Sequence, residues 1–150
     1  MERTPQTLVL DASTATKWFV EEEDTEKALR LRNAHQDGKI TLTAPDLLVY
    51  EVANALNYNP KVSTENLTSA VQKLLELDLD LVPPSSEYIS QTTKTARRFS
   101  ISVYDASYVA LSNMIATNLV TADQKMYRKL SPEIRISLLG ELDVKWSISG

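Results

Sequence analysis

Leu8-Val9-Leu10-Asp11 and Leu119-Val120-Thr121-Ala122-Asp123 are the two stretches that decide how this chain folds. Each is a short apolar run that stops abruptly, the first directly on an aspartate and the second one residue short of it. Runs of this length, too short for a helix and apolar without alternation, read as strands buried on both faces. In an open parallel sheet, ligands bind beyond the carboxyl ends of the strands. Strands from opposite ends of the chain can therefore present Asp11 and Asp123 to one crevice. An aspartate after a strand is also a common helix N-cap, so each residue, taken singly, is open to both readings.

Working outward, short strands alternate with longer helical stretches. A short helix is expected from Ala12 to Val20. A second runs from Asp24, as N-cap, to Gln36, with Gly38 just past its end. Ile40 to Thr43 reads as a strand. Pro45 is expected to open a helix at its first position, ending near Asn57. Ser63 or Thr64 caps a helix running to about Leu77, with Leu67, Val71, Leu74 and Leu75 on one face. Leu79 to Val82 is a strand stopped by Pro83-Pro84. Helices follow at Ser86 to Phe99 and Ser102 to about Ala116, then the Leu119 strand, a short helix at Gln124 to Leu130, and an edge strand at Ile134 to Ile136. This alternation predicts an α/β sandwich around a mostly parallel sheet. With no repeat or linker, residues 1–150 are expected to form a single domain.

Composition excludes several chemistries. There are no cysteines and one histidine, so disulfides, thiol catalysis and a closed structural zinc site are ruled out. A Ser-His-Asp arrangement could use only His35, which reads as an exposed residue at a fraying helix end. The start, Met1-Glu2-Arg3-Thr4-Pro5, has no apolar leader, and no long apolar run spans a membrane, so a cytoplasmic location is expected. The net charge of −4 does not attract nucleic acid, but setting aside four candidate ligand acids leaves 16 acidic against 16 basic residues.

Two further acids stand out. Glu51 lies beside an apolar helical stripe, with Leu47, Leu48, Asn54 and Ala55 as its neighbours. A carboxylate there needs a cation or donors if it is buried, or a head group in water if it is not. Asp105 sits in the first turn of a nearly apolar helix, Tyr104-Asp105-Ala106-Ser107-Tyr108-Val109-Ala110-Leu111, and is expected to face the interior or a cleft. Ser102-x-x-Asp105 also resembles a capping box. Asp37, Asp78, Asp80, Glu133, Asp143 and the run Glu21-Glu22-Glu23-Asp24 read as solvated surface.

Asp11-Ala12-Ser13, Glu51-Val52-Ala53-Asn54-Ala55-Leu56, Tyr104 to Leu111 and Thr121-Ala122-Asp123 together resemble, in order and spacing, the four signature regions of PIN domains. The fragments are similar to the small single-domain toxins of VapBC toxin–antitoxin pairs. The resemblance spans about Leu8 to Leu139. It implies a three-layer α/β/α sandwich with about five strands, and a Mg²⁺- or Mn²⁺-dependent endoribonuclease acting on RNA phosphodiester bonds. It implies that Asp11, Glu51, Asp105 and Asp123 line one metal-binding catalytic pocket, supported by Ser13 and Thr121, with Asn54 ordering the acids. An antitoxin partner and a homodimer are further implications. The chain departs from the pattern at Met126, where many relatives carry an aromatic residue, and it lacks the cysteine zinc ribbon of larger relatives.

Four carboxylates without Cys or His suit a hard cation rather than zinc. Phosphate contacts are expected from Lys17, Lys94, Arg97, Arg98, Lys125, Arg128 and Lys129, which flank the acids in sequence. Three other readings compete: a DNA- or structure-specific nuclease using the same acids, a non-catalytic interaction module whose acids only cap helices, and a receiver-like phosphoacceptor. The last normally needs an acidic pair near its first strand, and only one acid stands there.

Overall fold

Leu8, Val9 and Leu10 are all fully buried, although successive strand residues point to opposite faces. Both faces of that strand are therefore covered, as an all-parallel sheet requires. The computed structural model describes residues 5–148; residues 1–4, where no apolar leader was expected, and the last two residues of the expected 1–150 domain lie outside the described residues.

The elements follow one another as β1 (Gln6–Leu10), α1 (Ala12–Ala15), a 3₁₀ turn (Thr16–Trp18), α2 (Thr25–Gln36), β2 (Ile40–Pro45), α3 (Leu47–Asn57), α4 (Thr64–Glu76), β3 (Asp80–Val82), α5 (Ser86–Phe99), α6 (Val103–Met114), β4 (Leu119–Thr121), α7 (Gln124–Leu130), β5 (Ile136–Leu138) and a closing 3₁₀ turn (Leu139–Glu141). The strands form one parallel sheet in the order β3-β2-β1-β4-β5. The strand order reverses at β1, which pairs with β2 on one side and β4 on the other. A crevice at the carboxyl ends of β1 and β4 follows from that topology. The α/β sandwich with five parallel strands and helices covering the sheet is the expected architecture.

Several local expectations are corrected. Pro45 ends β2, in register with Val82, and does not open α3. Its fixed φ suits a strand end as well as a helix start, and pairing with β3 decides between them. Asp24 stands at the N-cap position of α2 but makes no capping bond. Its φ of 64° turns the chain, a conformation Asp tolerates, and its carboxylate faces Lys27 at 3.7 Å. The first helix breaks at Ala15 into a 3₁₀ turn that ends before Val20. The last strand is shifted two residues on, because Ile134 is buried behind α7.

His35 is half-buried rather than exposed. Its Nδ1 accepts the Leu42 N–H at 3.1 Å, and its Nε2 lies 3.1 Å from the Leu77 carbonyl and 3.3 Å from that of Asp78. β3 pairs with β2 only from Thr43 onward. The imidazole thus continues the ladder one step beyond the strand, accepting and donating as a peptide unit would.

Candidate active site

Asp11 follows β1 and caps α1, and Asp123 follows β4 and caps α7. Thr14 N–H donates to Asp11 Oδ1 at 3.2 Å, and Met126 N–H to Asp123 Oδ1 at 3.1 Å. Capping does not exhaust either carboxylate, so the two readings of these residues coexist. Around Asp11 the sheet supplies a hydroxyl network. Ser13 Oγ donates to Oδ1 at 2.6 Å, and Thr121 Oγ1 donates to Oδ2 at 2.5 Å. Ser13 Oγ in turn accepts the Ala122 N–H at 2.9 Å, and Thr121 Oγ1 the Asp123 N–H at 3.1 Å. Each hydroxyl is fixed by a backbone donor and aims its own proton at Asp11. The network spans β1 and β4, so Asp11 and Asp123 are oriented together.

The other two acids come from helices. Glu51 is half-buried on α3, and Tyr108 Oη on α6 donates to its Oε1 at 2.6 Å. Tyr108 is buried among apolar residues, where a phenol needs a partner. Sequence reasoning gave Tyr108 no role. The signal was available: a buried tyrosine three residues after Asp105, and a glutamate beside an apolar stripe, each needing the other. Asp105 stands exposed at the start of α6, its backbone N–H donating to Ser102 Oγ at 3.0 Å. The helix is buried as expected, but Asp105 lies at its rim and not in the interior.

Electrostatically the four acids are neighbours. Burial pushes the Asp11 carboxyl up to about 6, with Ser13, Thr121 and the Thr14 N–H opposing the rise and Asp123 adding to it. Glu51 is raised by burial and by Asp105, against the Tyr108 bond. Asp105 is raised by burial and by Asp123, against Ser102. Four acids separated by up to 112 positions in sequence thus feel one another across a single edge of the sheet. Among the described residues no three of them stand at the spacing of a ready-made coordination cage. The donor set is oxygen only, which fits a hard cation that keeps part of its water shell. None of the cavities of 1080, 530 and 260 Å³ is lined by these acids. The site is an open edge, a shape that admits a polymer.

The supporting residues divide. Ser13 and Thr121 are joined to the acids as described. Asn54 is not: it is exposed, makes no side-chain hydrogen bond among the described residues, and lines a groove between α3 and α4. Lys17 departs from its expected place as a phosphate contact, because it is buried with its ammonium 3.5 Å from Glu22. Arg98 is exposed but engaged by Glu133 at 3.2 Å and by the Phe99 ring. Lys129 reaches the Ser100 carbonyl at 3.1 Å. Lys125 and Arg128 are exposed on α7, just after Asp123, and Lys94 and Arg97 are exposed on α5.

Comparison with known proteins bears on the family and the fold. The PIN domain family model matches residues 8–130. Ribonuclease VapC3 of Pyrobaculum aerophilum is 32% identical over 126 residues, covering 81% of this chain and 93% of that protein. Among solved structures, VapBC2 from Rickettsia felis bound to a DNA fragment from its promoter superposes with a TM-score of 0.66 at 13% identity, covering 89% of this chain and 98% of that one. VapC20 of Mycobacterium tuberculosis, a sarcin-ricin loop cleaving toxin, gives 0.65 at 14%, covering 85% and 95%. These structural likenesses establish the shared fold.

Proposed function

We propose that this chain, which belongs to the PIN-domain family, is an endoribonuclease that hydrolyses RNA phosphodiester bonds with a divalent cation, Mg²⁺ or Mn²⁺. The observation that carries the reading is the gathering of four acids at the carboxyl edge of the sheet, where burial raises Asp11, Glu51 and Asp105, and Asp123 adds to the rise of Asp11 and Asp105 and Asp105 to that of Glu51. Carboxylates gathered in this way repel one another when ionised, and a bound cation relieves that cost. The ribonuclease relative at 32% identity supports RNA as the substrate.

Each side chain has a definable task. Asp11, with both oxygens fixed by hydroxyls, is an oriented ligand whose geometry is set before anything binds. Glu51 is held at Oε1 by Tyr108, leaving Oε2 without a hydrogen-bond partner among the described residues. Asp105 and Asp123 are exposed and can reach the cation directly or through its water. When bound, the cation would polarise the scissile phosphate and lower the pKa of the attacking water. Lys125 and Arg128 of α7 lie beside Asp123 and can hold RNA phosphates without reading sequence.

A toxin role in a VapBC-type pair, with an antitoxin covering the site and a homodimer as the working form, extends the same reading. Its support is the VapC relative and the likeness in fold to VapBC proteins. No helix among the described residues is long and apolar enough to cross a membrane, which agrees with a cytoplasmic toxin. The deciding experiment is cleavage of single-stranded RNA and DNA with Mg²⁺, with Mn²⁺ and with chelator, comparing wild type and Asp105→Asn. Metal-dependent RNA cleavage lost in the variant is expected. Equal rates in both proteins would remove the assigned site, and cleavage of DNA alone would replace the substrate.

A further inference from the structure

We propose that the groove between α3 and α4 is a subsite for an unpaired nucleobase of the RNA, with Tyr50 as its stacking face and Asn54 and Asn57 reading the base edge. The proposal rests on the nuclease reading above and names where the nucleotide beside the reacting phosphate goes. The groove has a volume of 530 Å³ and is lined by Tyr50, Ala53, Asn54 and Asn57 of α3 and by Leu67, Thr68, Val71 and Gln72 of α4.

Three features of this lining point to a base. Tyr50 is 77% exposed, leaving most of a large aromatic ring in water without a protein partner. Leu67, Val71 and Ala53 provide an aliphatic surface beside it. Asn54, Asn57 and Gln72 make no side-chain hydrogen bonds among the described residues, so three primary amides offer free donors and acceptors, the groups that match base edges. The lining contains no charged residue. A phosphate or an ionic peptide finds no counter-charge there, whereas a neutral, flat, amphipathic ring finds both apolar and hydrogen-bonding partners.

Continuity with the acids fixes the occupant. Tyr50 immediately precedes Glu51 and Asn54 follows it by three, so the groove opens within one helical turn of a site carboxylate. A nucleotide whose phosphate faces Glu51 and Asp105 has its base within reach of this groove. Stacking on an aromatic is tolerant of base identity, while the amides add discrimination. An RNA in a stable duplex cannot insert a base, so the groove selects unpaired segments.

The test uses a short single-stranded RNA carrying 2-aminopurine and an abasic ribose-phosphate strand of the same length, which keeps the backbone and lacks every flat ring. Binding of the RNA to wild type is expected to quench 2-aminopurine emission. Tyr50→Ala is expected to weaken RNA binding by about 10-fold or more, within the range that aromatic stacking supports, and to raise KM for RNA similarly. Tyr50→Phe keeps binding within about 2-fold, because the ring stays. Wild type is expected to bind the abasic strand about 10-fold or more weakly than the RNA, and Tyr50→Ala to add little to that loss, because no base is left to stack. Tyr58→Ala, exposed but outside the groove, serves as the control and binds as wild type. Unaltered RNA binding in Tyr50→Ala overturns the subsite, as does dissociation of a dimer in that variant with RNA binding intact. A wild type that fails to cleave the RNA defeats the nuclease reading instead, and the quenching measurement still decides whether a base enters the groove.

Discussion

The site has two halves built on different principles. On the sheet side, Asp11 is 7% exposed and held by Ser13, Thr121 and the Thr14 N–H, with donors that are themselves anchored to backbone. On the helix side, Glu51 has one tyrosine and Asp105 little beyond its serine cap. Strand pairing between Val9 and Leu119 and between Leu10 and Val120 fixes the first half to the registry of the sheet. The second depends on how α3 and α6 pack. Pre-organisation is concentrated where the backbone is rigid, and adjustability where helices can shift.

That contrast can be broken most forcefully at Asp11. Asp11→Asn is expected to lower RNA cleavage by more than the ~10- to 100-fold typical of losing a residue that merely orients a ligand, measured as kcat/KM with Mn²⁺. Activity within threefold of wild type would make the rigid half dispensable. Thr121→Val and Ser13→Ala test the hydroxyls. Each is expected to weaken metal affinity by about 10- to 100-fold, read by calorimetric titration, without the same loss at saturating metal.

The pH dependence of stability sharpens the same division. Asp11 titrates near 6 when folded against 3.8 in the unfolded chain, so between these values the folded protein binds more protons. Without metal, its contribution to stability is fully present below about pH 4 and is lost as the pH rises to about 6. Raised Glu51 and Asp105 act in the same direction. A cation favours the ionised acids and reverses the trend. The thermal shift caused by Mn²⁺ is therefore expected to be larger at pH 7 than at pH 5. An equal shift at both values would mean that the metal binds elsewhere.

The smallest expected effect is on the helix side. Tyr108→Phe removes one donor from Glu51 and should lower stability by about 1 kcal/mol, measured by denaturant unfolding. It should also raise the Glu51 carboxyl further, because the bond that opposed burial is gone. A loss as large as that from Asp11→Asn in cleavage would show that the helix side is as rigidly specified as the sheet side.

The sheet half was the legible half. Leu8-Val9-Leu10-Asp11 and Leu119-Val120-Thr121-Ala122-Asp123 carry their strand and their acid in a few consecutive residues, so local pattern and topology rules suffice. What local sequence could not convey depends on distant partners. Pro45 satisfies a helix start and a strand end equally, and only Val82 decides. Lys17 is the local exception: its partner Glu22 stands five residues on, and a helix read through to Val20 hides the turn after Trp18 that brings them together. Asn54 lies one turn from Glu51, close enough to suggest a common task, yet the packing of α4 on α3 leaves it in a different groove. Tyr108 and Glu51, 57 residues apart, could be joined only by asking what each buried polar group required.

His35 has a use that does not depend on the reaction. It is the chain's single imidazole, and its two nitrogens report on opposite sides of the seam between β2 and the loop entering β3. Its ring resonances in a nitrogen-15 spectrum would therefore arise from one residue without assignment. Any loosening of that sheet margin, whether by heat or a bound partner, would register there as a change in the balance of tautomers.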